Sequence, residues 1–211
     1  MHSRGVATRD ALVETAERLF AERGIEAVSL RDVSKSAGQR NHNAIQYHFG
    51  DRAGLVAAVY DHRMRHVNER RHAMLDAAAD SGLSGDVTTI AAAVVVPLAA
   101  VVAETSGWYG RFLARTQRDT FARRVVVELP VLSSYNRACE LLVGALPDLP
   151  PPIRVHRIGQ MSTLLIGTIA RWEWLRQIDE PELPLTMLQH DLTTTIAAVL
   201  TAPSIAQSEV P

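Results

Sequence analysis

The sequence predicts an all-α fold of about nine helices. Three observations carry that prediction. Apolar residues recur at helical spacing almost from end to end, no segment sustains the alternation of a half-buried strand, and glycines and prolines punctuate the periodic runs. The 211 residues are 47% hydrophobic and 21% charged, which supplies a sizeable core and excludes disordered, collagen-like and mucin-like chains.

Leu12, Val13, Ala16, Leu19 and Phe20 form the stripe of a first helix, which Gly24 ends. Ser29 to Asp32 reads as a capping-box variant opening a short second helix, with Val33 and Ala37 inward and Gly38 as its stop. A polar stretch, 39–43, leads to a third short helix holding Ala44, Ile45, Tyr47 and Phe49. Gly50 breaks it, and Asp51 caps a long fourth helix whose apolar face is Leu55, Val56, Val59, Tyr60, Met64 and Val67.

Glycines at 82 and 85 mark a turn, and helical segments follow near 86–105, 108–118 and 130–146. The most apolar stretch, 87–103, contains Thr88, Thr89 and Pro97. It falls short of the ~20 apolar residues of a bilayer span and reads as a buried helix bent at Pro97. The valines at 125–127 are too few to establish a strand. Prolines between 147 and 152 break the chain, and the last long helices are expected at 153–178 and 185–201, with a disordered tail at 203–211.

Lys and Arg number 22 against 23 Asp and Glu, a net charge of −1, so any nucleic-acid site is a local patch. The single Cys139 excludes an internal disulfide and a cysteine zinc site, and fits a reducing compartment. Without an apolar run of signal-peptide length near the start, the expected location is the cytoplasm, away from membranes. No G-x-S-x-G, P-loop, G-x-G-x-x-G or H-E-x-x-H pattern is present, so neither an enzyme nor a cofactor is expected. His62 and His66 stand at metal-ligand spacing with Glu69 beyond, but Arg63, Arg65, Arg70 and Arg71 crowd the same run, which reads as a solvated basic face rather than a metal site.

Three short helices with a polar turn between the second and third suit a helix-turn-helix. The second helix braces on the DNA backbone and the third enters the major groove. The first turn of the second helix, with Ser29 and Arg31, offers donors to a phosphate. The turn and third helix present Arg40, Asn41, His42, Asn43, Gln46, Tyr47 and His48, among them the residue types whose donor and acceptor pairs match guanine and adenine edges. Tyr47 either joins the core or faces DNA, Phe49 joins the core, and Arg52 holds a backbone phosphate. Residues 1–52 carry eight basic and seven acidic side chains, and Asp10, Glu14 and Glu17 share one face of the first helix.

These residues resemble the DNA-binding domain of the TetR family of bacterial transcriptional regulators. The resemblance runs over roughly residues 8 to 60. It rests on Leu19-Phe20-Ala21-Glu22-Arg23-Gly24, Val28-Ser29-Leu30-Arg31-Asp32-Val33, Ala37-Gly38 and Tyr47-His48-Phe49-Gly50-Asp51-Arg52-Ala53-Gly54-Leu55. The stretch 38–49 is one residue longer than the family's commonest form, Gln46 stands at the family's usual phosphate-binding tyrosine, and Arg52 replaces the usual lysine. The resemblance implies a DNA-binding domain at 1–52, running into the helix at 53–79, and a ligand-binding and dimerisation domain at 53–202. It further implies a homodimer through 153–178 and 185–201, a pseudo-palindromic operator, and a repressor relieved by a small apolar or amphipathic effector. Ile158, Leu164, Leu165, Ile169, Trp172 and Leu175 give one expected dimer face; Leu185, Leu188, Leu192, Ile196 and Leu200 give the other. Trp108, Phe112, Arg115, Gln160 and Trp172 are the residues expected to line an effector pocket. The alternative is an enzyme or small-molecule binding protein on the same scaffold with a degenerate helix-turn-helix.

Overall fold

The computed structural model describes residues 2–39, 43–105 and 107–204. Among them are ten α-helices: α1 (His2–Arg23), α2 (Leu30–Ser36), α3 (Asn43–Phe49), α4 (Arg52–Asp80), α5 (Val87–Glu104), α6 (Tyr109–Arg118), α7 (Thr120–Val127), α8 (Ser133–Ala145), α9 (Pro151–Gln177) and α10 (Leu185–Thr201). No strand occurs among the described residues. Helix α7 is the one element without a counterpart in the sequence prediction. Asp119 caps it by accepting from the Ala122 N–H at 2.9 Å, and the valine run forms its last turn. The segment 130–146 opens as a 3-10 turn at Pro130–Leu132 before α8 begins. The tail beyond residue 204 lies outside the described residues.

One apolar cluster runs from Leu12 to Leu200 without a gap at the expected domain boundary. Helices α1, α2 and α3 pack around the start of α4 to form an N-terminal head. Helix α4 continues against α5, α7 and α8, while α6 lies between α1 and α9. Helix α10 packs on α5 and α9. Leu188, Leu192, Ile196 and Leu200, one of the two faces expected to dimerise, are therefore buried within the chain's own core. Leu165, Ile169 and Trp172 on α9 are buried as well. Periodicity shows that a stripe is buried; it does not say against what.

Helix α5 continues through Pro97, and its N-cap Asp86 accepts from the Thr89 N–H at 2.7 Å. It is the one described helix long and apolar enough to cross a membrane, and it is largely covered by neighbouring helices. Proline lacks the N–H that would reach the Ala93 carbonyl four residues back. Arg71 of α4 supplies the missing donor: Nε reaches the Ala93 oxygen at 3.2 Å, Nη2 the Val94 oxygen at 3.3 Å, and Nη1 the Ser134 hydroxyl at 3.3 Å. One buried guanidinium thus joins α4, α5 and α8.

The α6–α9 contact is closer still. A Cβ on Gly110 would lie 3.2 Å from the Ala170 Cα and 3.2 Å from the Glu173 carboxylate. Glu173 accepts from the Gly110 and Arg111 N–H groups at 2.9 Å each, capping α6 from a neighbouring helix. Burial raises the Glu173 carboxyl to about 7 despite those donors and Arg111 nearby. Its ordinary value is 4.5, so the native state retains this proton where the unfolded chain has lost it. The site's contribution to stability is full below that ordinary value and is lost as pH rises through about 7. Between about pH 5 and pH 8 the unfolding free energy of Glu173→Gln should fall less steeply than that of the unaltered chain. Parallel pH profiles would contradict the protonation shift.

At the α3–α4 turn, Asp51 caps α4 through the Gly54 N–H at 2.9 Å. A Cβ on Gly54 would fall onto the Phe49 carbonyl. Gly54→Ala should cost about 1–3 kcal/mol, read as a lower denaturant midpoint at unchanged m value. An unshifted midpoint would mean that the turn opens freely.

Candidate nucleic-acid interface and cavity

Helix α3 separates its residues cleanly. Ile45 is buried and Phe49 half-buried, with the Arg9 guanidinium 5.6 Å from the Phe49 ring centre. Gln46 is exposed, and Tyr47 is 85% exposed, so Tyr47 is an outward residue and not part of the core. Its ring stands edge-on to that of the half-buried His48, 5.1 Å between centres. Arg40, Asn41 and His42 lie outside the described residues; Asn43 opens α3, and its side chain lies outside them too.

Two residues expected at DNA phosphates make hydrogen bonds within the chain. Ser29 completes a capping box: its hydroxyl accepts from the Asp32 N–H at 3.1 Å and donates to the Asp32 carboxylate at 2.6 Å, which also accepts from the Ser29 N–H at 3.0 Å. The Ser29 hydroxyl and N–H hold the Asp32 carboxyl below its ordinary value. A carboxylate thus sits in the first turn of α2, with Arg31 exposed beside it. Arg52 points inward, its Nη1 donating to the Ile25 carbonyl at 2.8 Å and to that of Glu26 at 3.2 Å. It ties the α1–α2 turn to the start of α4.

The acidic face of α1 turns toward α4. Arg63 Nε meets the buried Glu17 carboxylate at 3.0 Å, and its Nη2 lies 3.9 Å from Glu14. Burial raises the Glu17 carboxyl against the pull of Arg63. The head's acids are thereby partly neutralised by a cation from the next element. Farther along α4, His66 Nδ1 lies 3.7 Å from Glu69, and no group of three metal-ligating side chains occurs among the described residues. Burial lowers the half-buried His62 imidazole, and Arg63 lowers it further.

A cavity of about 540 Å³ opens between α4, α5, α6, α7, α8 and α9. Its size is that of a small-molecule site. Tyr60, Met64, Leu98, Leu113 and Leu165 make its deep wall around Arg71, while Arg118, Arg123 and Val127 stand exposed at its edge.

None of the five residues expected in such a pocket lines this cavity. Phe112 is buried in an aromatic cluster with Phe20, Tyr60 and Tyr109. Trp108 carries the Arg111 guanidinium 4.2 Å from its ring centre. Arg115 donates to the Ala21 carbonyl at 3.4 Å, joining α6 to α1. Gln160 is exposed, and Trp172 donates from Nε1 to the Leu183 carbonyl at 2.8 Å, fixing the approach to α10. Arg71 escaped the sequence reading because it sits in an arginine-rich run. The signal was its register: Tyr60, Met64, Val67, Arg71, Leu75 and Ala78 follow one buried stripe.

Residues 12–59 match the family model of bacterial regulatory proteins, tetR family. Over 52 residues the chain is 44% identical to the HTH-type transcriptional repressor Rv3405c of Mycobacterium tuberculosis, a match covering 25% of this chain and 27% of that protein. Over 54 residues it is 41% identical to the HTH-type transcriptional regulator TtgR of Pseudomonas putida, covering 26% of this chain and 25% of that one. The shared region is thus about a quarter of each relative's length. Among solved structures, a putative TetR-family transcriptional regulator from Rhodococcus sp. is similar with a TM-score of 0.57 at 20% identity, over 92% of this chain and all of that one. The superantigen pfit is similar with a TM-score of 0.51 at 18% identity, over 89% of this chain and 87% of that one. At these identities the likeness is one of fold, and one fold hosts several functions.

The internal role of Arg52 and the outward position of Tyr47 separate in stability. Arg52→Ala should lower the unfolding free energy by about 1–2 kcal/mol, because two carbonyls lose a charged donor. Tyr47→Ala should change it by less than about 0.5 kcal/mol. Chemical denaturation of both variants checks this, and equal losses would contradict the two placements.

Proposed function

We propose that this chain, whose residues 12–59 match the family model of bacterial regulatory proteins, tetR family, is a sequence-specific DNA-binding transcriptional regulator. In this reading it acts in the cytoplasm as a homodimeric, ligand-responsive repressor, by binding and not by catalysis. The observation that carries the reading is the split of α3: Ile45 anchors the helix while Gln46 and Tyr47 face outward. Such a helix can enter a major groove, where a glutamine amide matches adenine. Arg40, Asn41 and His42, which precede it in sequence, and Asn43, its first residue, add donors and acceptors suited to base edges and phosphates.

A two-fold dimer would read a pseudo-palindrome, one α3 per half-site. Because the inner stripe of α10 is occupied, the contact proposed between protomers uses the outward faces of α9 and α10, where Trp174 and Met187 are exposed. The cavity is the proposed effector site. Its walls include Tyr60, Met64 and Arg71 of α4 and Leu113, Thr116 and Gln117 of α6, and both helices pack on the head. An occupant that favours one spacing of the two heads weakens operator binding by its differential affinity, and operator weakens the occupant's binding by the same factor.

Selection of DNA from a random library, followed by titration of enriched sites at several salt concentrations, tests the reading. A pseudo-palindromic consensus with steep salt dependence is expected. Gln46→Ala should then relax preference at one base position, at a cost of about 1–3 kcal/mol. No enrichment by the folded dimeric protein would overturn the proposal.

A further inference from the structure

The charge lining the cavity has one sign. Arg71 stands deep, Arg118 and Arg123 stand at the edge, and no aspartate or glutamate is among the lining residues. Arg71 is only 2% exposed, and the ionisable groups that act on it are the phenols of Tyr60, Tyr135 and Tyr109 and the thiol of Cys139. None of these supplies a negative charge near neutral pH. Burial pushes Tyr60 up to about 12 and raises Tyr109, Tyr135 and Cys139. The guanidinium rests on the Ala93 and Val94 carbonyls, the Ser134 hydroxyl and the Tyr135 ring, whose centre is 5.7 Å away.

Those hydrogen bonds use three of five N–H donors among the described residues, which leaves two without a protein acceptor. A buried cation left without a counter-charge is unfavourable, and the cost falls when an anion pairs with it in a geometry that takes up the free donors. Three arginines repel a cationic occupant, and a neutral one leaves the charge of Arg71 unpaired. The rest of the deep wall is apolar, with Leu98, Leu113, Leu165 and Ile166. A single buried guanidinium in that setting suits a monoanion on an apolar body better than a polyphosphate, which needs several donors.

Building on the cavity as an effector site, we propose that its occupant is a small organic carboxylate, with the carboxylate on Arg71 and an aliphatic or aromatic body against the apolar wall. Ser162 and Gln117 line the same cavity, and Gln117 Nε2 already donates to the Ser162 hydroxyl at 3.1 Å. Arg71 is the anchor, and Arg118 and Arg123 draw the anion to the mouth.

The test is calorimetric titration of the full chain, without DNA, with octanoate, decanoate, 4-phenylbutyrate and 2-naphthoate, each beside its primary amide. Leaving DNA out separates this outcome from the operator selection. At least one carboxylate is expected to bind roughly ten- to hundredfold more tightly than its own amide. Arg71→Met, which keeps length and apolar volume, should abolish that preference. Equal binding of acid and amide, a preference for the amide, or no binding by any member overturns the proposal. So does a carboxylate preference that survives in Arg71→Met. Should that variant fail to fold, the paired comparison on the unaltered chain decides alone.

Discussion

A single helix of 29 residues has to satisfy two parts of the core at once. At the usual rise α4 is roughly 43 Å long, enough to reach from the head to the far side of the cavity. Its first turns pack against α1 and α3, and its later turns against α5, α7 and α8. The pairing of Arg63 with Glu17 pins its middle to α1, in a place where removing either partner would strand a charge out of water. Arg71, two turns on, is bound just as firmly to α5 and α8. A rotation or slide of α4 at the cavity would therefore be felt at the head. Rigid, densely packed elements tend to shift between discrete arrangements instead of deforming gradually.

Helix α6 gives a second connection. Its Phe112 stacks on Phe20 of α1 with ring centres 6.2 Å apart, and Arg115 reaches the Ala21 carbonyl. On its other side Gly110 allows α9 to approach, and Glu173 holds the two free N–H groups at its start. Leu113, Thr116 and Gln117 on the same helix face the cavity. The cavity thus shares two walls with elements that orient the head. The ligand chemistry proposed at Arg71 and the DNA reading proposed for α3 would be linked through packing, with no long-range electrostatics required.

The head was legible in the sequence because its signals are local. Ser29 and Asp51 are caps whose partners lie three residues away, and glycines at 24, 38 and 50 take positive φ where helices stop. The direction of Arg52 was not legible, since its acceptors lie 27 and 26 residues earlier in the chain. Helix α7 went unseen because it has only eight residues, of which Ala122 alone is fully buried while Val125 and Val126 pack half-buried against the core. The cavity was unreadable for a different reason: its lining comes from six helices, and aromatic residues that looked available for a ligand are taken up by stacking, caps and loop contacts. On α10 the stripe was correctly periodic, but periodicity could not distinguish α5 of the same chain from a second protomer.

Native-state hydrogen exchange at increasing denaturant tests most directly whether head and cavity form one mechanical unit. The account predicts that the slow amides of α1, α4 and α6 converge on a common opening free energy, and that Glu17→Gln lowers all three together. Exchange of α1 at a distinctly lower free energy, with α4 and α6 still protected, would contradict it.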